Sequence, residues 1–201
     1  MILSIVKKII PLILLLSLAV VLQAAKIKIE AQPDPTFDFS TVHTWAWDAE
    51  AGDVIMARTA EDDPAPVRKR VDPLIRKYVE AEMSKKGLTL VTSGTPDVQF
   101  HYYVLVTVNT SGQYMGQFLP AVPYWGLPPF APATTSLKIV TKGSLVLDAM
   151  LPGKKDERRV VWRGIAQSTV GDADSDAARE ARIREACEGL VAKFQLTKPK
   201  K

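Results

Sequence analysis

From Val98 to Asn109 the chain alternates without a break: Val98, Phe100, Tyr102, Val104, Val106 and Val108 fall on one side, and Gln99, His101, Tyr103, Leu105, Thr107 and Asn109 on the other. Successive strand side chains point to opposite faces, so this run predicts a β-strand with one buried apolar face. Any fold open to the chain must therefore supply a second layer to cover that face.

Two helical stripes can provide it. Val71, Leu74, Ile75, Tyr78, Val79 and Met83 recur at three-and-four spacing. Asp72 and Pro73 suit a cap and first helical residue, with Val67 to Val71 as an earlier turn, and Gly87 suits the left-handed stop. A second helix is expected from a cap at Asp174 or Ser175 to about Phe194, with Ile183, Cys187, Leu190 and Phe194 on its buried side.

The remaining extended segments are a short strand at Ala25 to Ile29, a segment where Trp45 and Trp47 share a face, and a short strand at Leu88 to Thr92. Two long β-rich runs, Leu137 to Leu151 and Arg158 to Val170, are joined through Pro152-Gly153-Lys154-Lys155-Asp156 and read as an antiparallel hairpin. Residues 48 to 66, rich in Asp, Glu, Gly and Pro, read as a solvated connection. The order predicts an α+β fold, a largely antiparallel sheet with two helices packed on one face.

The N-terminus bears on compartment. Lys7 and Lys8 precede an apolar run from Ile9 to Leu22 that ends in Gln23-Ala24-Ala25, the pattern of a cleaved export signal over residues 1–25. An uncleaved membrane anchor is the alternative, but the run is shorter than the ~20 residues a spanning helix needs and Pro11 interrupts it. The expectation is a periplasmic or secreted product with no transmembrane span after cleavage. It comprises a single domain over 26–196 and a basic tail at 197–201.

Charge excludes one class of partner. Without Lys7 and Lys8 at one end and Lys198, Lys200 and Lys201 at the other, the 26 basic residues fall to 21 against 22 acidic ones. Nucleic-acid binding needs a positive excess to meet phosphates, so none is expected. Arg68-Lys69-Arg70 reads as a solvated cluster. Cys187 is the sole cysteine, so no internal disulfide forms and the core alone must hold the fold; its place on an apolar stripe predicts a buried thiol.

The segment from Thr110 to Ser136 is unusual. It has no charged residue, yet carries Tyr114, Phe118, Tyr124, Trp125 and Phe130 among prolines and glycines. It is far longer than a hairpin connection requires. Rings on a proline-stiffened loop suit docking to an envelope protein, a glycan or a lipid, and equally suit folding back over the open face of a sheet. Tyr124 and Trp125 are the leading contacts on the first reading.

Catalytic signals are sparse. His43 and His101 are the only histidines, and neither a Gly-x-Ser-x-Gly elbow nor a His-Glu-x-x-His zinc helix occurs. His101 shares a strand face with Tyr103, which suits an acid and base pair in a hydrolase but also a histidine hydrogen-bonded for structure. Asp172-Ala173-Asp174-Ser175-Asp176 opens like a calcium loop but has Ala177 where the turn needs glycine and Ile183 where a bidentate glutamate belongs. The acidic run is accounted for by the following helix dipole, and no metal or cofactor is expected.

Five pieces taken together, Asp34 to Trp47, Lys86-Gly87-Leu88, Pro96 to Tyr102, Lys142 to Asp148 and Val161-Trp162-Arg163-Gly164, resemble the bacterial envelope family called domain of unknown function 4136. The resemblance spans about residues 33 to 195. It implies an exported, often lipid-anchored protein with an aromatic, glycine-rich central loop and no established enzymatic role, although this chain lacks the cysteine that carries such a lipid. It transfers no catalytic residue. Within the last piece Trp162 reads as core and Arg163 as surface. The function expected is thus a non-enzymatic envelope binder, with a hydrolase or a purely structural component as alternatives.

Overall fold

The computed structural model describes residues 27–57, 63–107, 143–153, 159–168 and 175–197. The strands are β1 (Lys28–Pro33), β2 (Thr44–Trp47), β3 (Asp53–Ala57), β4 (Thr89–Leu90), β5 (Val98–Thr107), β6 (Gly143–Met150) and β7 (Val160–Ser168). The helices are α1 (Ala65–Lys85) and α2 (Asp176–Lys193). One sheet runs β1-β7-β6-β5-β2-β4, with β3 also on β5.

The α+β class stands, but the sheet is mixed rather than largely antiparallel. β1, β7, β6 and β5 pair antiparallel, whereas β2 and β3 run parallel to β5, and β2 parallel to β4. The cause lies in α1. A helix inserted between β3 and β4 carries the chain back across the sheet before the next strand starts, so strands on either side of it point the same way. Residue periodicity reports which face a side chain takes and says nothing of strand direction.

Three local expectations change. β1 begins at Lys28 and runs through Pro33, which is tolerated because β1 is an edge strand of the described sheet. Residues 48 to 66 hold β3 as well as a connection. α1 is continuous from Ala65, with Pro73 inside it and Asp63 Oδ1 accepting from the Ala65 N–H at 2.9 Å. Asp72 is no cap. An internal proline costs a helix about 3 kcal/mol, and here burial of Val71 before it and Ile75, Val79 and Met83 after it offsets that cost.

The ends of both helices follow the expected chemistry. Gly87, at φ 80°, lets the Leu88 N–H reach Met83 O at 3.1 Å and its own N–H reach Ser84 O at 2.9 Å, closing the last carbonyls of α1. Ser175 caps α2, its side chain accepting from the Ala178 N–H at 3.2 Å.

Both helices pack on one face of the sheet. Their buried residues Ile75, Val79, Met83, Cys187, Leu190 and Val191 join Phe100, Tyr102, Leu147, Ala149 and Trp162 in one core. Phe194, at the end of α2, is its hub, meeting Phe39, Phe100 and Trp162 edge-on at 5.7, 5.3 and 5.2 Å between centroids. α2 sits close because Gly164 leaves room: a Cβ there would lie 2.8 Å from Leu190 Cδ2 and 2.3 Å from the Trp162 ring. Tyr78 Oη donates to Glu180 Oε1 at 2.5 Å and ties the helices together.

Candidate functional site

β2 and β3 lie end to end along the same edge of β5. Trp47 pairs with Phe100 and Asp53 with Tyr103, so residues 48–52 stand against only His101 and Tyr102 and must bulge outward. The bulge is fixed at both ends. The Asp48 N–H donates to Phe100 O at 2.9 Å, and the Ala51 N–H to Asp48 O at 2.9 Å. Gly52 completes the turn at φ 107°, where a Cβ would also lie 2.7 Å from Tyr102 Oη.

On the helix side α1 grips this turn. Arg76 Nη2 donates to Ala51 O at 3.3 Å and its Nε to Asp72 Oδ1 at 2.9 Å, while the Tyr102 hydroxyl donates to the same Asp72 oxygen. Arg76 also lies 4.9 Å over the Trp47 ring, whose Nε1 donates to Glu80 Oε1 at 2.8 Å. Burial, followed by the Asp72 carboxylate, pushes the Tyr102 hydroxyl well above its ordinary value, so it stays a donor.

On the opposite sheet face the same bulge holds a histidine. Asp48, with 1% of its side chain exposed, sits 2.9 Å from His101 Nδ1, and Asp53 Oδ2 lies 3.3 Å from His101 Nε2. That second separation is within ion-pair reach yet misaligned, and Nε2 is buried without a hydrogen bond. The Tyr103 ring stacks beside the imidazole at 4.5 Å. Next along the sheet, Asp148 is the cross-strand partner of both His101 and Arg163. Arg163 Nε and Nη2 grip its two oxygens, each at 2.5 Å, with both side chains 1% exposed.

His101 and Tyr103 are thus brought together as expected. Burial, then the Asp148 carboxylate, raises the Tyr103 hydroxyl well above its ordinary value, which suits a neutral phenol rather than a base. Arg163 is buried rather than on the surface, because Asp148 stands opposite it and takes both ends of its guanidinium. The apolar face of the strand is buried as expected, and the other face is buried too: His101, Tyr103 and Leu105 lie inside along with Phe100 and Tyr102. Cys187 is buried and Trp45 and Trp47 share a face, as anticipated. Arg68, Lys69 and Arg70 are exposed.

Tyr114, Phe118, Tyr124, Trp125 and Phe130 lie outside the described residues, as do residues 1–25 and Asp172 to Asp174. Among the described residues no helix is long and apolar enough to cross a membrane. Sequence reasoning passed over Asp48, Asp53 and the Asp148–Arg163 pair. A partial signal for the last was present, since Asp148 and Arg163 each interrupt an apolar run in one arm of the expected hairpin; the register that sets them opposite one another, with its shift at Ala149 and Met150, is not in the spacing.

The profile of the family described as "Domain of unknown function (DUF4136)" matches residues 29–194. Among solved structures, a DUF4136 family protein from Bacteroides thetaiotaomicron is 16% identical with a TM-score of 0.48, covering 86% of this chain and 98% of its own. A PDZ domain protein from Parabacteroides distasonis is 15% identical with a TM-score of 0.38, covering 84% of this chain and 37% of its own. A PelC dodecamer from Paraburkholderia phytofirmans is 9% identical with a TM-score of 0.33, covering 84% and 99%. No curated protein matches.

Proposed function

The chain belongs to the DUF4136 family, and from that premise we propose that it is an exported, non-enzymatic component of the cell envelope that binds a partner protein, glycan or lipid through Tyr114, Phe118, Tyr124, Trp125 and Phe130. Export rests on the basic, apolar and small-residue pattern of residues 1–25.

One observation carries the binding role. β5 and β6 are antiparallel neighbours, paired from Gln99 with Met150 to Leu105 with Ser144, so the chain leaves and re-enters the sheet at adjacent strand ends. A few residues suffice to join such ends. The chain instead inserts an uncharged segment bearing five aromatic rings at 110–136. Meanwhile Asp148 pairs with Arg163, Asp72 with Tyr102 and Asp48 with the Nδ1 of His101 inside the body, which favours a scaffold role for it. The hydrolase alternative draws on the Asp48–His101 contact, and its weakness is the high affinity of Tyr103 for its proton.

The test is the double substitution Tyr124→Ala with Trp125→Ala. Envelope association and the set of cross-linked partners are expected to fall while the circular dichroism spectrum stays unchanged. An unchanged partner set in a folded double variant refutes the reading.

A further inference from the structure

We propose that His101 Nε2 and the Asp53 carboxylate form a weak binding site for a divalent transition metal of the zinc class, with Asp48 as the group that orients the imidazole. The arrangement is independent of the aromatic segment. Metal-bound histidines almost always donate the second ring N–H to a carboxylate, which fixes the tautomer and raises ligand basicity. Asp48 Oδ2, 2.9 Å from Nδ1 and buried, occupies that position.

The free nitrogen then faces Asp53. Zinc bonds of ~2.0–2.2 Å to nitrogen and oxygen, opened at a tetrahedral angle, separate the two donor atoms by about 3.3–3.5 Å. Nε2 and Asp53 Oδ2 stand 3.3 Å apart and do not align as a hydrogen bond. A buried ring nitrogen left unbonded beside a carboxylate is costly unless a cation joins them. Asp53, with 53% of its side chain exposed, is the side from which an ion enters, and Tyr103 closes another.

Among the described residues no group of three donors converges, so water completes the coordination and binding is weak. A mixed imidazole and carboxylate set suits zinc and its neighbours better than calcium or magnesium.

The experiment titrates the chelator-stripped whole chain with Zn²⁺ by calorimetry, with nitrogen-15 NMR of the His101 ring in parallel. One equivalent is expected to bind, with a shift at Nε2. Asp53→Asn, at a half-exposed position the fold tolerates, should abolish binding, and Asp48→Asn should weaken it about 10–100-fold. No heat at millimolar zinc overturns the proposal, as does binding that survives Asp53→Asn. A spectrum in which Nε2 carries a proton at neutral pH and does not respond to zinc also overturns it, leaving a proton as the bridge.

Discussion

The two faces of β5 are both buried and are held by different physics. On one, Phe100 and Tyr102 meet Leu147, Ala149 and the two helices, with Phe194 wedged among aromatic edges. On the other, His101 and Tyr103 meet Asp48, Asp53, Asp148 and Arg163. The first face is stable because apolar area leaves water, at roughly 25 cal/mol per Å². The second tolerates buried charge where a partner of fitted geometry meets it, as Arg163 meets Asp148. Burial therefore does not imply an apolar residue. A charged group can sit there when a fitted partner answers it, as Arg163 answers Asp148.

The difference shows first in truncation. Phe194→Ala removes the ring that touches Phe39, Phe100 and Trp162, and is expected to cost about 3–5 kcal/mol in urea unfolding, with no second substitution nearby restoring it. Overfilling the same face should cost less. Gly164→Ala places a methyl against Trp162 and Leu190 and is expected to lose about 1–3 kcal/mol.

Alkaline pH tests both faces together. Burial raises Tyr102 on the helix face and Tyr103 on the polar face, and pushes the Cys187 thiol up to about 12. Groups raised in the folded state contribute fully below their unfolded values, 9.0 for the thiol and 10.0 for the phenols, and lose that contribution as pH rises toward the folded values. The urea midpoint should fall from pH 9 upward, and Tyr103→Phe should flatten part of that fall. Acid acts in the opposite sense. Thr36 and Arg159 outweigh the burial that would raise Asp34 and hold it below its ordinary value, so its contribution is present above pH 3.8 and fades as pH drops further. A smaller readout is Cys187: a thiol reagent should modify the native protein only at the rate of local opening.

Much of the helix face was legible in sequence. The stripe from Val71 to Met83, the Ser175 cap, Gly87 and the apolar side of β5 follow from periods of 3.6 and 2, which local residue order encodes. The polar face was not, because its partners are remote. Asp48 looks like loop composition until the bulge at 48–52 brings it to His101, and Arg163 looks like surface until Asp148 stands opposite it. Parallel pairing of β2 and β3 with β5 escaped for a related reason, since α1 decides it rather than any strand. The site expected at Tyr114 to Phe130 is a matter for the binding experiment above.

At Asp148 and Arg163 the polar face is held by charges that answer one another rather than by charge as such. The most direct test is a double-mutant cycle in urea on Asp148→Leu and Arg163→Met. Each single variant should lose about 3–5 kcal/mol, because it strands its buried partner, and the double variant should return to within about 1 kcal/mol of the parent or exceed it. A double variant as unstable as the sum of the singles would contradict the account.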